Sequence, residues 1–214
     1  MSRDIAEKQL EDYNDVFADI FNNLVFGGKE ILKEDQLEPL PTEAFTGTLA
    51  GGFRQGNRDV RKADRKNGKY QLIYSAENQD GPDNTMPERI MGYEYASYEN
   101  QIKQIVDKNN KDDNSAYSKR IHDEQRLTPV VTVVLYYGTK EWKCPKCLHD
   151  MLEFPPEIED AVKPFVADYP MNLIDLTKVP KEVRQRMTSD FRFVVDYLAC
   201  RNHPAEMKEF MSDN

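Results

Sequence analysis

A mixed α/β fold, with a mixed central sheet flanked by helices in a single domain over residues 1–214, is predicted by three features of the chain. Its first 26 residues carry apolar side chains at helical spacing, Leu127 to Tyr137 is a β-branched run long enough for one strand, and Asn67-Gly68 separates two strand-like segments. With 39% hydrophobic residues and 31% charged ones, the chain can bury a sizeable core under a very polar surface.

Ile5, Leu10, Tyr13, Val16, Phe17, Ile20, Phe21 and Leu24 recur mostly at three- and four-residue steps, which predicts one amphipathic helix over 4–26, closed by Gly27-Gly28. A loop rich in Glu, Leu and Pro follows, then a candidate strand at Ala44 to Leu49. Asn-Gly is a strong signal for a tight hairpin turn, so the segments on either side of 67–68 should pair antiparallel. Met86 to Asn109 reads as a long helix. Residues 107–126 are so polar that an exposed, mobile connection is expected. The run ending at Tyr137-Gly138 should be a strand buried on both faces. A short helix at Leu148 to Phe154, a strand at Met171 to Leu176 and a last helix at Ser189 to Arg201 complete the order.

No apolar run reaches membrane-spanning length, and no secretory core follows Met1-Ser2-Arg3-Asp4, so a cytoplasmic protein without a membrane partner is expected. The net charge is −9 but unevenly spread. Residues 54–69 hold seven basic side chains against Asp59 and Asp64. Such a patch in an acidic protein can attract and orient a polyanion, which makes Arg54, Arg58, Arg61 and Lys62 candidate DNA-binding residues. A solvated hairpin with a lysine-guarded edge is the plainer reading of the same run.

Asp59 precedes one hairpin strand, and Glu77-Asn78-Gln79 ends the other. Phosphodiester hydrolysis needs an activated water and charge stabilisation at phosphorus; a divalent cation held by hard oxygen ligands provides both. Asp59 and Glu77 are the candidate ligands, with Gln79 on Glu77's face of the strand and the Ala76 or Asn78 carbonyl as a further donor. The geometry is demanding. A plain two-residue turn at Asn67-Gly68 would pair 66 with 69 and set Asp59 opposite Ala76, on the wrong face. An odd loop or a bulge is required to set Asp59 across from Glu77.

Two further ligand pairs, Cys144-x-x-Cys147 and Cys200-x-x-His203, could supply a Cys₃His structural zinc site only if the fold brought them together, and ordinary thiols are the preferred reading. His149 is expected to stabilise the start of a short helix, and His122 to be solvated. Tyr93, Tyr95, Tyr98, Tyr136 and Tyr137 are expected in the core. No nucleophile elbow accompanies the three histidines, and Gly51-Gly52 is not followed by a Gly-Lys-Ser/Thr phosphate loop.

Taken in order, Phe17-Ala18-Asp19-Ile20-Phe21-Asn22, Phe26-Gly27-Gly28-Lys29, Arg58-Asp59-Val60, Glu77-Asn78-Gln79, Met86-Pro87-Glu88-Arg89-Ile90-Met91-Gly92-Tyr93, Pro129 to Gly138, Trp142 and Leu148-His149-Asp150-Met151-Leu152 resemble the recombination-promoting nuclease (transposase) family of the PD-(D/E)XK nuclease superfamily. The resemblance runs from about residue 8 to about residue 200. It implies a restriction-endonuclease-like core and a Mg²⁺-dependent DNA endonuclease (Mn²⁺ as a substitute) associated with recombination or mobile elements. Asp59 and Glu77 would bind the metal, and Gln79 would stand where the superfamily carries lysine. A neutral amide can orient water or a phosphate oxygen but cannot neutralise developing charge. Asp19 is the acid of the first helix that the resemblance suggests as an assistant. Cutting both strands would call for a homodimer. Members are often longer, which implies a nuclease-like domain without its C-terminal extension. The rival readings are a catalytically inactive nuclease-fold module for DNA binding or assembly, and a zinc-stabilised interaction protein.

Overall fold

The computed structural model describes residues 3–47, 53–57, 59–112, 120–201 and 204–213. The predicted opening helix is broken in two: α1 (Arg3–Glu11), α2 (Asn14–Ile20), then a π-helical turn Phe21–Val25. The break has a cause in the sheet beyond it. The Lys62 ammonium takes the Asp12 carbonyl at 2.7 Å and the Asn14 Oδ1 at 2.8 Å, while Asn14 Nδ2 donates to the carbonyls of Glu34 and Leu37. Tyr13 between them is extended (φ −70°, ψ 136°). Polar side chains have claimed backbone groups that a continuous helix would have used. Gly27 and Gly28, at φ +65° and +88°, end the segment as expected.

Strands β1 (Leu37–Pro39), β4 (Val60–Lys66), β5 (Lys69–Gln79), β6 (Val130–Tyr136) and β7 (Asn172–Asp175) form one mixed sheet in the order β1-β4-β5-β6-β7. β4 is antiparallel to β1 and β5; β6 is parallel to β5 and β7. β2 (Glu43–Gly47) and β3 (Phe53–Asn57) make a separate antiparallel ribbon that contains the first part of the strand expected at 44–49; Thr48 and Leu49 lie outside the described residues. Between β5 and β6 runs α3 (Met86–Asp112).

The sheet is covered on both sides. One face carries Val60, Tyr74, Ala76, Val133, Leu135 and Tyr137 against Phe17, Ile20 and Phe21 of the first helices and Phe191, Val195 and Leu198 of α6 (Phe191–Cys200). The Phe21 ring meets Tyr74 edge-on at 5.1 Å. The other face carries Ile73, Val130, Val134 and Tyr136 beneath α3, whose Met86 and Ile90 are buried with Trp142. β6 is accordingly the strand buried on both faces that its composition predicts. Short helices α4 (Glu159–Val162), α5 (Lys181–Arg184) and α7 (Pro204–Asp213) complete the chain.

Three further expectations are corrected. Residues 107–112 belong to α3, and buried Asn109 exchanges amide hydrogen bonds with Gln125 (3.1 and 2.9 Å) and donates to the Arg120 carbonyl, so the polarity there serves helix length and a side-chain latch; 113–119 lie outside the described residues. The helix expected at 148–154 is only a 3₁₀ turn, His149–Met151, where the His149 amide donates to Asp168 and its ring meets the Val166 carbonyl. Tyr95 is exposed on the outer side of α3, not in the core. Among the described residues no helix is long and apolar enough to cross a membrane.

At the tip of the β4–β5 hairpin, Asn67 and Gly68 take φ +53° and +76° in a two-residue turn. A Cβ at Gly68 would meet nothing within 4 Å. Gly68→Ala should therefore cost only the left-handed backbone penalty, about 1–2 kcal/mol, in urea unfolding. An unchanged midpoint would contradict that assignment.

Candidate metal and nucleic-acid site

The register of this hairpin decides where the acids lie. Lys66 pairs with Lys69 and Arg65 with Tyr70, but Asp64 pairs with Leu72. Gln71 is thus an extra residue, a one-residue bulge placed after a two-residue turn. From there the ladder continues to Val60 opposite Ala76. Asp59 lies one residue before β4, and continuing that ladder by one step would bring its backbone level with Glu77.

The surroundings of the two carboxylates differ. Asp59 Oδ2 accepts the Asn78 backbone N–H at 2.6 Å, so this side chain continues the ladder past the last backbone pair. Its Oδ1 is 2.8 Å from the Lys8 ammonium of α1. Glu77 is buried at 3% exposure beside Val134, and its Oε1 is bound by the Arg89 guanidinium of α3. Arg89 also holds Asp83 at 2.9 Å and the Tyr93 hydroxyl at 3.4 Å. Burial favours the neutral guanidine, but the bond to Tyr93, the charge of Glu77 and the bond to Asp83 outweigh it and hold Arg89 firmly charged. Gln79 shares Glu77's face and sits beside Tyr136 of β6.

Glu11, the last residue of α1, was not singled out from the sequence. It is fully buried, accepts both Asn78 Nδ2 bonds at 2.9 and 3.0 Å, and is bound to the Tyr137 hydroxyl. Burial raises its pKa to about 8, with the charges of Asp59 and Glu7 adding to the effect and the bonds from Tyr137 and Asn78 opposing it. Asn78 thus carries Glu11 on its side chain and Asp59 on its backbone. Asp19, the acid suggested for the first helix, is committed elsewhere: its Oδ2 accepts Thr188 N, Ser189 N and Ser189 Oγ just ahead of α6, and its Oδ1 accepts Asn23 Nδ2. The acid of the first helices that lies by the pair is Glu11.

The basic candidates separate. Arg54 lies on β3, and Arg58 is outside the described residues. Arg61 turns toward α3, where it binds Ser97 Oγ and the Pro41 carbonyl. Lys62 turns to the opposite face, is 1% exposed, and holds Asp12 and Asn14 with its ammonium over the Phe17 ring at 5.6 Å. Neither side chain is displayed to a phosphate in this geometry. The physical reason is that β4 is an inner strand covered on both faces, so alternate basic residues are spent on interior contacts.

Hard oxygen donors of the right kind are present at Asp59 and Glu77, each met by a cation from a different face of the sheet, Lys8 of α1 and Arg89 of α3. Among the described residues, however, no group of three or more His, Cys, Asp or Glu side chains is arranged to hold a metal ion. Lys8 and Arg89 instead supply positive charge to Asp59 and Glu77 respectively. As for the cysteines, Cys144 and Cys147 lie on the β6–β7 connection, Cys200 is buried in α6 with Arg184 Nη1 at 3.8 Å, and His203 is outside the described residues.

No curated protein and no solved structure matches the chain. The profile described as "Putative transposase, YhgA-like" matches residues 52–199, more than half of the chain and every element from β3 into α6, so the chain belongs to that family.

Proposed function

We propose that the protein is a divalent-metal-dependent DNA endonuclease, built on a restriction-endonuclease-like core and acting in recombination or the movement of mobile elements. The observation that carries this reading is the Gln71 bulge, which gives the hairpin the register a pairing of Asp59 with Glu77 requires. Membership of a transposase family supports a role on DNA. Asp59 and Glu77 would hold Mg²⁺ or Mn²⁺, with Gln79 beside them to orient water or a phosphate oxygen. When bound, such an ion polarises the phosphoryl oxygen and lowers the pKa of its water. The chain's own part is to supply the two carboxylates and to keep each tolerable in the absence of the ion. The guanidinium of Arg89 on Glu77 and the ammonium of Lys8 on Asp59 do that. A homodimer would place two such sites on the two strands of a duplex.

The specific observations favouring an inactive DNA-binding module are the same two ion pairs together with the neutral Gln79. Plasmid nicking with Mg²⁺ or Mn²⁺ separates the readings. The parent should convert supercoiled plasmid to open circles only with metal. Asp59→Asn keeps an acceptor for the Asn78 N–H but removes the charge, and should lose more than about a hundredfold in rate, since even outer supports of a metal site are worth 10–100-fold. Metal-independent DNA binding without cutting would establish the inactive module. A parent and an Asp59→Asn variant that nick equally would move the site elsewhere.

A further inference from the structure

A polyanion approaching this site calls for positive charge nearby, and among the described side chains of the basic run Arg61 and Lys62 turn inward instead. The connection following β6 is placed to provide it. Tyr137 N donates to the Gln79 carbonyl at 2.9 Å, so the connection leaves the sheet directly beside the Glu77–Gln79 end of β5. Tyr136 lies next to Gln79 on the same face, and its hydroxyl donates to the Lys140 carbonyl at 2.7 Å. The chain passes so close there that a Cβ on Gly138 would run into that hydroxyl, which is why glycine follows the strand. Trp142 is 6% exposed, with its ring edge-on to Tyr136 at 5.2 Å. Arg201 donates to the Tyr137 carbonyl at 3.0 Å and to the Gly138 carbonyl. At the far end, Lys146 N donates to Asp150 Oδ2 at 3.0 Å, and the Lys146 carbonyl accepts Met171 N at 2.9 Å.

This segment is therefore anchored at five places, while Lys140, Lys143 and Lys146 are all exposed on it. The only acid among residues 138–146 is Glu141, 3.6 Å from Lys143 and itself mostly exposed. An ordered backbone presents Lys140 at the carboxyl ends of two parallel strands, the edge where open α/β sheets bind ligands, and then carries Lys143 and Lys146 back toward the amino end of β7, where the Lys146 carbonyl meets Met171. The other exposed basic group of the sheet, Arg65, Lys66 and Lys69 at the hairpin tip, lies at the opposite end of β5, about 33 Å away by strand rise. Arg65 is already paired with Glu38 at 2.8 Å.

We propose that residues 138–146 form the surface that receives the DNA backbone, with Lys140, Lys143 and Lys146 contacting phosphates of the strand that leads to Asp59 and Glu77. This inference rests on the endonuclease reading and names where its substrate lies. It is tested with the full-length chain and a fluorescein-labelled 20-bp duplex, measuring anisotropy over a salt series in Ca²⁺, with plasmid nicking in Mg²⁺ run in parallel. A Lys140→Gln/Lys143→Gln/Lys146→Gln variant should lose about tenfold or more in affinity, and its log K against log salt slope should fall by about 2–3, close to the release expected for three phosphate contacts. An Arg65→Gln/Lys66→Gln/Lys69→Gln variant should keep the parent's affinity and slope. Circular dichroism of both variants should superimpose on the parent's, as the substituted side chains are on the surface. If the parent binds and cuts while the loop variant retains its affinity and slope, or if the hairpin-tip variant takes the loss instead, the surface is wrong and the endonuclease reading stands. If the parent neither binds nor cuts, both are overturned.

Discussion

Arg89→Met should destabilise the folded protein by about 3–5 kcal/mol in urea unfolding, because it strands the Glu77 carboxylate in the interior. Glu77 is 3% exposed, and the guanidinium on its Oε1 is the cation that meets it from α3. The strength of this ion pair is not itself the point. Taking two charges out of water costs roughly what their attraction returns, whereas removing one partner leaves the desolvation uncompensated. A Glu77→Met/Arg89→Met double variant should accordingly recover most of the loss, giving a coupling energy of several kcal/mol across the cycle. Loss of the Asp83 and Tyr93 contacts contributes less, since Asp83 is about a quarter exposed, and Asp83→Asn measures that share. The same variant also reports on the proposed metal. With the guanidinium gone, Mg²⁺ or Mn²⁺ should return stability to Arg89→Met beyond what it adds to the parent, by about 2.7 kcal/mol at a hundredfold excess over its dissociation constant. If the single and double variants unfold at the same urea concentration, the interior carboxylate is not what Arg89 supports.

How much of this was legible beforehand depended on whether the relevant signal was local. β6 announced itself through composition, because a strand covered on both faces must be apolar throughout. The Asn67-Gly68 turn was equally plain, being specified by two positive φ values. The register condition for Asp59 and Glu77 could be stated from parity alone, but the residue that meets it could not. Gln71 has no bulge signature in its side chain; the bulge follows from pairing preferences along both strands. The inward turn of Arg61 and Lys62 was hidden for a related reason. Arginines and lysines on a strand read as solvent-facing, yet Lys62 reaches from the sheet into the overlying first helix and breaks it at Asp12, a contact 50 residues away in sequence. Glu11 was missed because a glutamate near the end of an amphipathic helix is ordinarily a surface residue. What buries it is the polar pair Asn78, from β5, and Tyr137, the residue just past β6. Lys140, Lys143 and Lys146 lay unremarked because an interspersed loop lysine has no meaning until the loop's anchors are known.

The pH dependence of stability should be dominated in one window by Glu11. Its folded pKa is raised to about 8, against 4.5 for an ordinary glutamate, chiefly by burial and further by the neighbouring charges of Asp59 and Glu7. Between those two values the folded chain holds a proton that the unfolded chain has released. Stability from this group is therefore fully present below about pH 4.5 and is lost as the pH rises through about 8. At about 1.4 kcal/mol per pH unit, the loss amounts to several kcal/mol. Glu11→Gln preserves the shape and the bond from Asn78 Nδ2 while removing the titration. Its unfolding free energy should fall less steeply than the parent's from pH 5 to 8 and exceed it at pH 9. Parallel curves would show that Glu11 does not hold the proton. The same proton bears on the proposed chemistry through Asn78, which joins Glu11 to Asp59. Ionising Glu11 places a second negative charge near Asp59 just as it weakens the fold, so a divalent ion has most to gain where the protein alone is least stable. The stabilisation conferred by Mg²⁺ should thus grow from pH 6 to pH 9 in the parent and stay nearly level in Glu11→Gln. An equal increase in both would place the ion outside the reach of Glu11, and with it the assignment of Asp59 as a ligand.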